Sequence, residues 1–597
     1  MKSFLPTSKE EIKQLKWNQV DAILISGDAY VDHPAFGISI IARVLENAGY
    51  RVAVIPQPNW RDDLRDFKKL GPPRLFFGVT AGNMDSMVNH YTANKRLRSD
   101  DAYTPGNKAG FRPDYAVEVY TKILKLLYPE IPVVIGGIEA SLRRFTHYDY
   151  WSDSLKPSIL VTSKADLLVY GMGEKAILEI AGNLARGKTI HTLIDIPQTA
   201  YVTNSPPPDA IQLFSYEECL KDKKLFARNF VLIETESNKL EQRKLAEKIG
   251  DRWVVVNLAY HPLTQDEMDA IYDLPYTRLP HPRYHKKEPI PAFEMIKDSI
   301  TIHRGCFGGC SFCTISAHQG KFISSRSKKS ILKEIKILTS MPTFKGHITD
   351  IGGPTANMYQ MTGIDIAICM KCQRPSCIYP NICRNLNIDL SPLIELYREA
   401  RETEGVKKVT IGSGIRYDLI IDRNNKPLSK KALEYFEELV RFHVSGRLKV
   451  APEHTSEKIL KLIRKPHFNM FIYLHNLFYS TCNKFGLRQQ IVPYFISSLP
   501  GCTIDDMAEL ALQAKKLKLR LEQVQDFTPT PMTLASVMFY TGLNPYTMKE
   551  IYIPKTIEEK KLQQLFFFLH KEDKKQKLRT ELKKRNRHDL IKLLGIK

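Results

Sequence analysis

The sequence predicts an α/β protein built in series: a Rossmann-like parallel sheet over residues 1–200, a bridging stretch over 201–294, a partial (β/α)6 barrel over 295–545 and a basic helical tail over 546–597. Two observations predict it. Short apolar strand-like runs alternate with helical segments twice along the 597 residues, the pattern of parallel sheets with crossover helices. A dense group of cysteines then follows the first strand of the second series, at the barrel end that carries chemistry.

In the first series, residues 20–26 read as a buried strand, 37–49 as an amphipathic helix and 51–56 as the next strand, a βαβ unit. Strands follow at 74–79, 132–135 and 166–170. Two glycine-rich loops, Gly136-Gly137-Ile138-Glu139-Ala140-Ser141 and Gly171-Met172-Gly173-Glu174, fall at strand ends, where nucleotide-like ligands approach parallel sheets. The bridging stretch opens on Ser205-Pro206-Pro207-Pro208, with short strands expected at 230–234 and 253–259.

In the second series, strands are expected at 299–303, 347–352, 408–413, 448–451, 490–497 and 521–527, with helices such as 330–339, 392–404 and 432–442 between them. Six strands are too few for a closed eight-stranded barrel.

Composition bounds the rest. Hydrophobic content of 43% and charged content of 25% are ordinary for a globular protein. No apolar run reaches bilayer length, and Met1-Lys2-Ser3-Phe4-Leu5-Pro6-Thr7 leads into charged residues rather than a signal-peptide core, so a cytoplasmic location is expected. The net charge of +22 favours polyanions, RNA first among them, although the lysines before residue 540 are scattered. From Lys549 to Lys597, 15 Lys or Arg stand against 7 Asp or Glu, a segment suited either to phosphate contact or to a solvated helical face.

Seven of the ten cysteines fall in two tight groups, leaving Cys219, Cys482 and Cys502 alone as small buried apolar side chains. Cys306, Cys310 and Cys313 form C-x3-C-x2-C, with Gly308 and Gly309 between them. Three thiolates can hold three corners of a cubane iron–sulfur cluster and leave the fourth iron open. A closed zinc site would need a fourth ligand, which His303 or His318 could supply. The spacing favours the cluster. Cys369, Cys372, Cys377 and Cys383 form C-x2-C-x4-C-x5-C between the second and third barrel strands, a metal site whose spacing leaves zinc and iron–sulfur equally open.

The cysteine loop, with Phe312 before its last thiol, resembles the signature of the radical S-adenosylmethionine (SAM) enzymes. The six-strand series resembles their partial barrel, and the first series resembles the cobalamin-binding domains that precede many of them. That resemblance implies a [4Fe-4S] cluster on Cys306, Cys310 and Cys313, with SAM on the open iron. Asp350-Ile351-Gly352-Gly353-Pro354-Thr355 is similar to the glycine-rich motif that receives the SAM amino group, with proline in place of the usual acid. Ser413 and Arg416, after the third strand, are placed to meet the ribose and the carboxylate, and Pro452-Glu453-His454 offers further polar groups. Cobalt-ligating domains carry D-x-H-x-x-G. Here Asp32 and His33 are adjacent and Gly37 falls one residue late, so bound cobalamin is not expected.

Over essentially its full length the chain resembles the YgiQ-like radical SAM proteins. The segments that carry this are Gly78-Val79-Thr80-Ala81-Gly82-Asn83-Met84-Asp85-Ser86-Met87-Val88-Asn89-His90-Tyr91-Thr92, Gly136 to Arg144, and Thr528-Pro529-Thr530-Pro531-Met532-Thr533. That resemblance implies one cluster at Cys306, Cys310 and Cys313 with SAM, and it hands over no reaction. The expected activity is reductive SAM cleavage for an unidentified substrate, RNA among the candidates, fed by an electron donor such as a flavodoxin or ferredoxin. The alternative is an iron–sulfur protein that binds nucleic acid or senses iron without turning SAM over.

Overall fold

A computed structural model describes residues 3–519 and 521–596. Its N-terminal part is a nine-stranded sheet. Five parallel strands form one half, in the spatial order Val52–Pro56, Ala22–Ser26, Phe76–Thr80, Val133–Ile135 and Leu167–Val169. These are the strands expected from the apolar runs, and burial on both faces explains their near-continuous Val, Ile, Leu and Phe content.

Beyond Leu167–Val169 the sheet turns antiparallel through Thr199–Thr203, Arg252–Val256 and Leu245–Ile249, and ends on Ile211–Gln212. The strands of the bridging stretch therefore extend the first sheet. Residues 230–234, expected as a strand, lie instead within the helix Lys223–Ser237. Asp222 caps that helix, and Phe226, Phe230 and Ile233 recur at helical spacing on its buried face.

The second part carries six barrel strands among the described residues, His347–Ile348 and Asp350–Gly352 together making the second. Ser299–Thr301 pairs in parallel with Asp350–Gly352, and His347–Ile348 with Lys408–Val409. Arg447–Glu453, Gln490–Ser497 and Gln523–Asp526 form a second parallel run. Helices Lys328–Thr339, Ser391–Glu402, Lys430–Glu438, Phe468–Lys484 and Ile504–Lys516 cover the outside. This is the partial α/β barrel the alternation predicted.

The basic tail is helical, as expected, over Ile557–Leu565, Glu572–Lys584 and His588–Leu594. It is also part of the barrel core, because Leu562, Phe566, Phe567, Leu578, Leu582, Leu590 and Leu594 join the barrel's buried apolar cluster. Its basic clusters are partly neutralised locally, with Glu581 pairing both Lys584 and Arg585, and Glu572 pairing Lys575. Among the described residues no helix is long and apolar enough to cross a membrane.

Candidate active site and the cysteine groups

The first barrel strand ends at Thr301 and the chain continues through the short strand His303–Arg304 into the cysteine loop. Gly305 (φ +87°) turns the loop, and a side chain there would overlap the Phe322 carbonyl. The three thiols are half-buried. A Cβ on Gly308 would sit 3.3 Å from Cys306 Sγ and 2.9 Å from the Arg416 guanidinium, so the loop needs glycine where it wraps its own sulfurs. Burial pushes the Cys306 thiol up and the Cys313 thiol to about 12. Without metal the two are therefore neutral thiols, whose protons iron would displace.

Arg416 donates from Nη1 to Cys310 Sγ at 3.2 Å and grips Asp418 through Nε and Nη2. Burial opposes its charge, but Asp418 and Cys310 outweigh burial and hold the guanidinium well above its ordinary pKa. The sequence reading gave Arg416 to a ligand carboxylate. The structure gives its fork to Asp418 and its remaining nitrogen to the cysteine loop.

The other expected SAM contacts converge. Asp350 accepts from the Gly412 and Ser413 amides and from Ser413 Oγ, which pins the third strand end to the second. A Cβ on Gly352 would meet Ser413 Oγ at 2.6 Å. One on Gly353 would lie over the face of the His303 ring, 2.6 Å from its Cε1. Glycine at both positions is a packing requirement.

Gly352, Gly353 and Ser413 border a cavity of about 590 Å3 between the barrel and the N-terminal sheet. Gly136, Gly137 and Gly171 border it from the sheet side, so the two glycine-rich loops do reach a ligand-sized space. Thr301 to Arg304 precede the cysteine loop and Ile315, His318 and Gln319 follow it, and all but Ile302 line the same cavity. The interface is closed by a buried ion pair between Arg304 and Glu174, and by His318 Nδ1 at 3.1 Å from Ser141 Oγ.

His303 is the residue whose importance spacing alone misses. It is fully buried at the wall of this cavity with the Thr355 backbone beside its ring, and burial lowers its pKa to about 3, so the ring is neutral. His303 and His318 both line the cavity, and none of the three cysteines is among its lining residues. Three thiols on one short loop beside a buried guanidinium fit an anionic three-cysteine cluster.

Other polar residues prove structural. Asp85 caps the helix Ser86–His90 and pairs with Arg143, and His90 binds Asp114. Asp32 is held by Arg43, and the buried His33 ring accepts from the Ala35 amide. Glu453 faces Lys465 at 3.5 Å, and His454 Nε2 lies 3.5 Å from Cys502 Sγ, so neither opens toward the cavity. Cys219, Cys482 and Cys502 are buried.

Cys369, Cys372, Cys377 and Cys383 all line one further cavity, of about 310 Å3. The loop carrying them lies against the first cysteine loop. The Cys377 amide donates to the Phe307 carbonyl at 3.0 Å, and a side chain on Gly309 would overlap the Pro375 carbonyl.

Residues 4–299 match the family profile described as Radical SAM N-terminal, and residues 522–593 match a domain of unknown function (DUF3362). Among solved structures, the chain is similar to the radical S-adenosylmethionine methyltransferase TsrM from Kitasatospora setae, with cobalamin and a [4Fe-4S] cluster bound. That match has a TM-score of 0.46 and 14% identity over 86% of this chain and 77% of that one. The cobalamin-dependent S-adenosylmethionine radical enzyme OxsB matches with a TM-score of 0.47 and 12% identity over 88% of this chain and 55% of that one. Curated relatives are far nearer. A UPF0313 protein of Porphyromonas gingivalis is 56% identical over 98% of this chain and 94% of its own length. One from Bacteroides thetaiotaomicron is 55% identical over 99% and 98%, and one from Methanocella arvoryzae 47% over 98% and 96%. The chain belongs to the UPF0313 family, of which the YgiQ-like radical SAM proteins it resembles are members.

Proposed function

We propose that this protein is a radical SAM enzyme that cleaves SAM reductively and acts on a substrate held between the barrel and the N-terminal sheet. The observation that carries the proposal is the position of the three-thiol loop: it follows the first barrel strand, and its flanking residues line the 590 Å3 cavity. Cys306, Cys310 and Cys313 would hold a [4Fe-4S] cluster. With SAM bound, that cluster supplies one low-potential electron to break a sulfonium C–S bond.

The protein's own residues do the rest. Arg416 places a fixed positive charge on the loop, which favours thiolates over thiols. Asp350 locks the Ser413 loop, while Gly352 and Gly353 leave backbone exposed at the cavity wall for a polar ligand. His303 packs a neutral ring beneath Gly353 at the cavity wall and so adds no charge there. The apolar walls, Ile38, Ile41, Ile138 and Ile300 among them, exclude water from the reacting centre. A flavodoxin or ferredoxin would deliver the electron.

The test is 5′-deoxyadenosine formation by anaerobically reconstituted protein given SAM and dithionite. Formation that disappears in Cys306→Ala is the expected result. No formation by protein carrying an intact cluster with SAM bound would overturn the enzyme reading in favour of a binding role.

A further inference from the structure

We infer that Cys369, Cys372, Cys377 and Cys383 hold a second iron–sulfur cluster, seated directly behind the first, rather than a zinc ion. All four cysteines line the same cavity of about 310 Å3, together with Phe307, Phe322, Ile323, Met361 and Leu386. Tetrahedral zinc draws four thiolates to about 2.3 Å from one point, and hence to about 3.8 Å from each other, with no space left between them. These thiols stand around a volume instead. A four-thiolate cubane occupies the space between its ligands and favours apolar surroundings with a few hydrogen bonds to sulfur.

Both features are present. Asn385 Nδ2 donates to Cys369 Sγ at 3.3 Å, and Lys321 Nζ donates to Cys372 Sγ at 3.7 Å. Lys321 is an independent indication of an anion at this place. It is 2% exposed, it also donates to the neutral Arg374 carbonyl and lies 4.9 Å over the Phe322 ring, and no ion pair to a carboxylate is seen for it among the described residues. A buried ammonium without a counter-charge is costly, and a cluster bearing four thiolates supplies that charge. A side chain on Gly363 would press on Cys369 Sγ at 2.6 Å, so the backbone there is also drawn close around sulfur.

The two sites are adjacent through the backbone. The Phe307 carbonyl, next to Cys306, accepts both the Cys377 amide and the Ser376 hydroxyl. One hydrogen bond therefore separates the peptide carrying a first-cluster ligand from the peptide carrying a second-cluster ligand.

The deciding protein is the full-length triple variant Cys306→Ala/Cys310→Ala/Cys313→Ala, reconstituted anaerobically with iron and sulfide in the presence of equimolar zinc. It should hold about four iron atoms per chain, against about eight in the unaltered protein. It should also give a reduced-cluster resonance by electron paramagnetic resonance. The unaltered protein, reduced, should show a broadened spectrum rather than the sum of two isolated clusters. One zinc and no iron in the triple variant, or neither metal, overturns the inference. If the triple variant does not fold, four iron atoms plus one zinc in the unaltered protein overturns it equally. None of these readouts involves SAM, so failure of the proposed activity would leave this result standing.

Discussion

Arg416 is buried between Asp418 and Cys310, and its role follows from what would be left behind without it. Arg416→Ala strands the buried Asp418 carboxylate, a loss of about 3–5 kcal/mol for a broken buried pair. Arg416→Ala/Asp418→Ala removes both charges and should be less destabilised than the single variant, read by urea unfolding of cluster-free protein. Equal destabilisation would mean that the pair is not coupled. At this scale the sequence was legible for residue type and not for partner. The cysteines, Gly352, Gly353 and Ser413 could be picked out from their place after strands, and the last three do share one cavity wall. That Arg416 would spend its fork on a carboxylate two residues away depends on the short helical turn Tyr417–Leu419, which no spacing rule announces. His303 could be seen three residues before Cys306, but only packing shows its ring lying flat on Gly353.

Elements were legible where period and burial agree. The five parallel strands of the first sheet and the six of the barrel are apolar runs between helices, and the structure keeps their order. Residues 230–234 failed because a short apolar run is common to buried strands and buried helix faces, and the deciding signal was the flanking helical spacing of Phe226, Phe230 and Ile233. The antiparallel edge at 245–256 was half hidden because Leu245–Ile249 interrupts its apolar residues with Glu247 and Lys248. The two cysteine-bearing loops were each legible, but their contact was not, because it rests on backbone. Gly309 has φ +62°, and its Cα faces the Pro375 carbonyl and Ser376 Cβ. Gly309→Ala therefore combines a left-handed alanine, at about 1–2 kcal/mol, with a steric clash. It should lower stability by about 1–3 kcal/mol and reduce iron retained at both sites, measured by unfolding and by iron per chain after desalting. A loss confined to the first site would show that the loops are not mechanically coupled.

For the whole molecule, the +22 net charge suggests that acid should do little but add repulsion, yet the buried histidines set a more specific dependence. Burial lowers His147 and His303 to about 3 and His318 and His454 to about 4, and holds His33 well below its ordinary value. Each stays neutral in the fold. Between those values and about 6.5 the unfolded chain binds the proton that the folded chain refuses, so stability falls as pH falls through that window. Buried acids act with the opposite sign, with Glu139, Asp298, Asp350, Glu453, Glu509, Asp526 and Glu559 raised by burial beside two larger cases. Burial raises Glu247 to about 7 and Asp28 to about 6, so the folded chain keeps protons that the unfolded chain releases above about 4, and their contribution is lost as pH rises. The two sets oppose each other between pH 6.5 and 5, so the share of one ring is read by difference, each ring weighing up to about 1.4 kcal/mol per pH unit. Lowering the pH from 7 to 5 should cost the unaltered cluster-free protein more stability, measured as Tm, than cluster-free His303→Gln, which lacks the buried ring at the cavity wall. An equal change in both proteins would mean that the His303 ring is not held neutral in the fold.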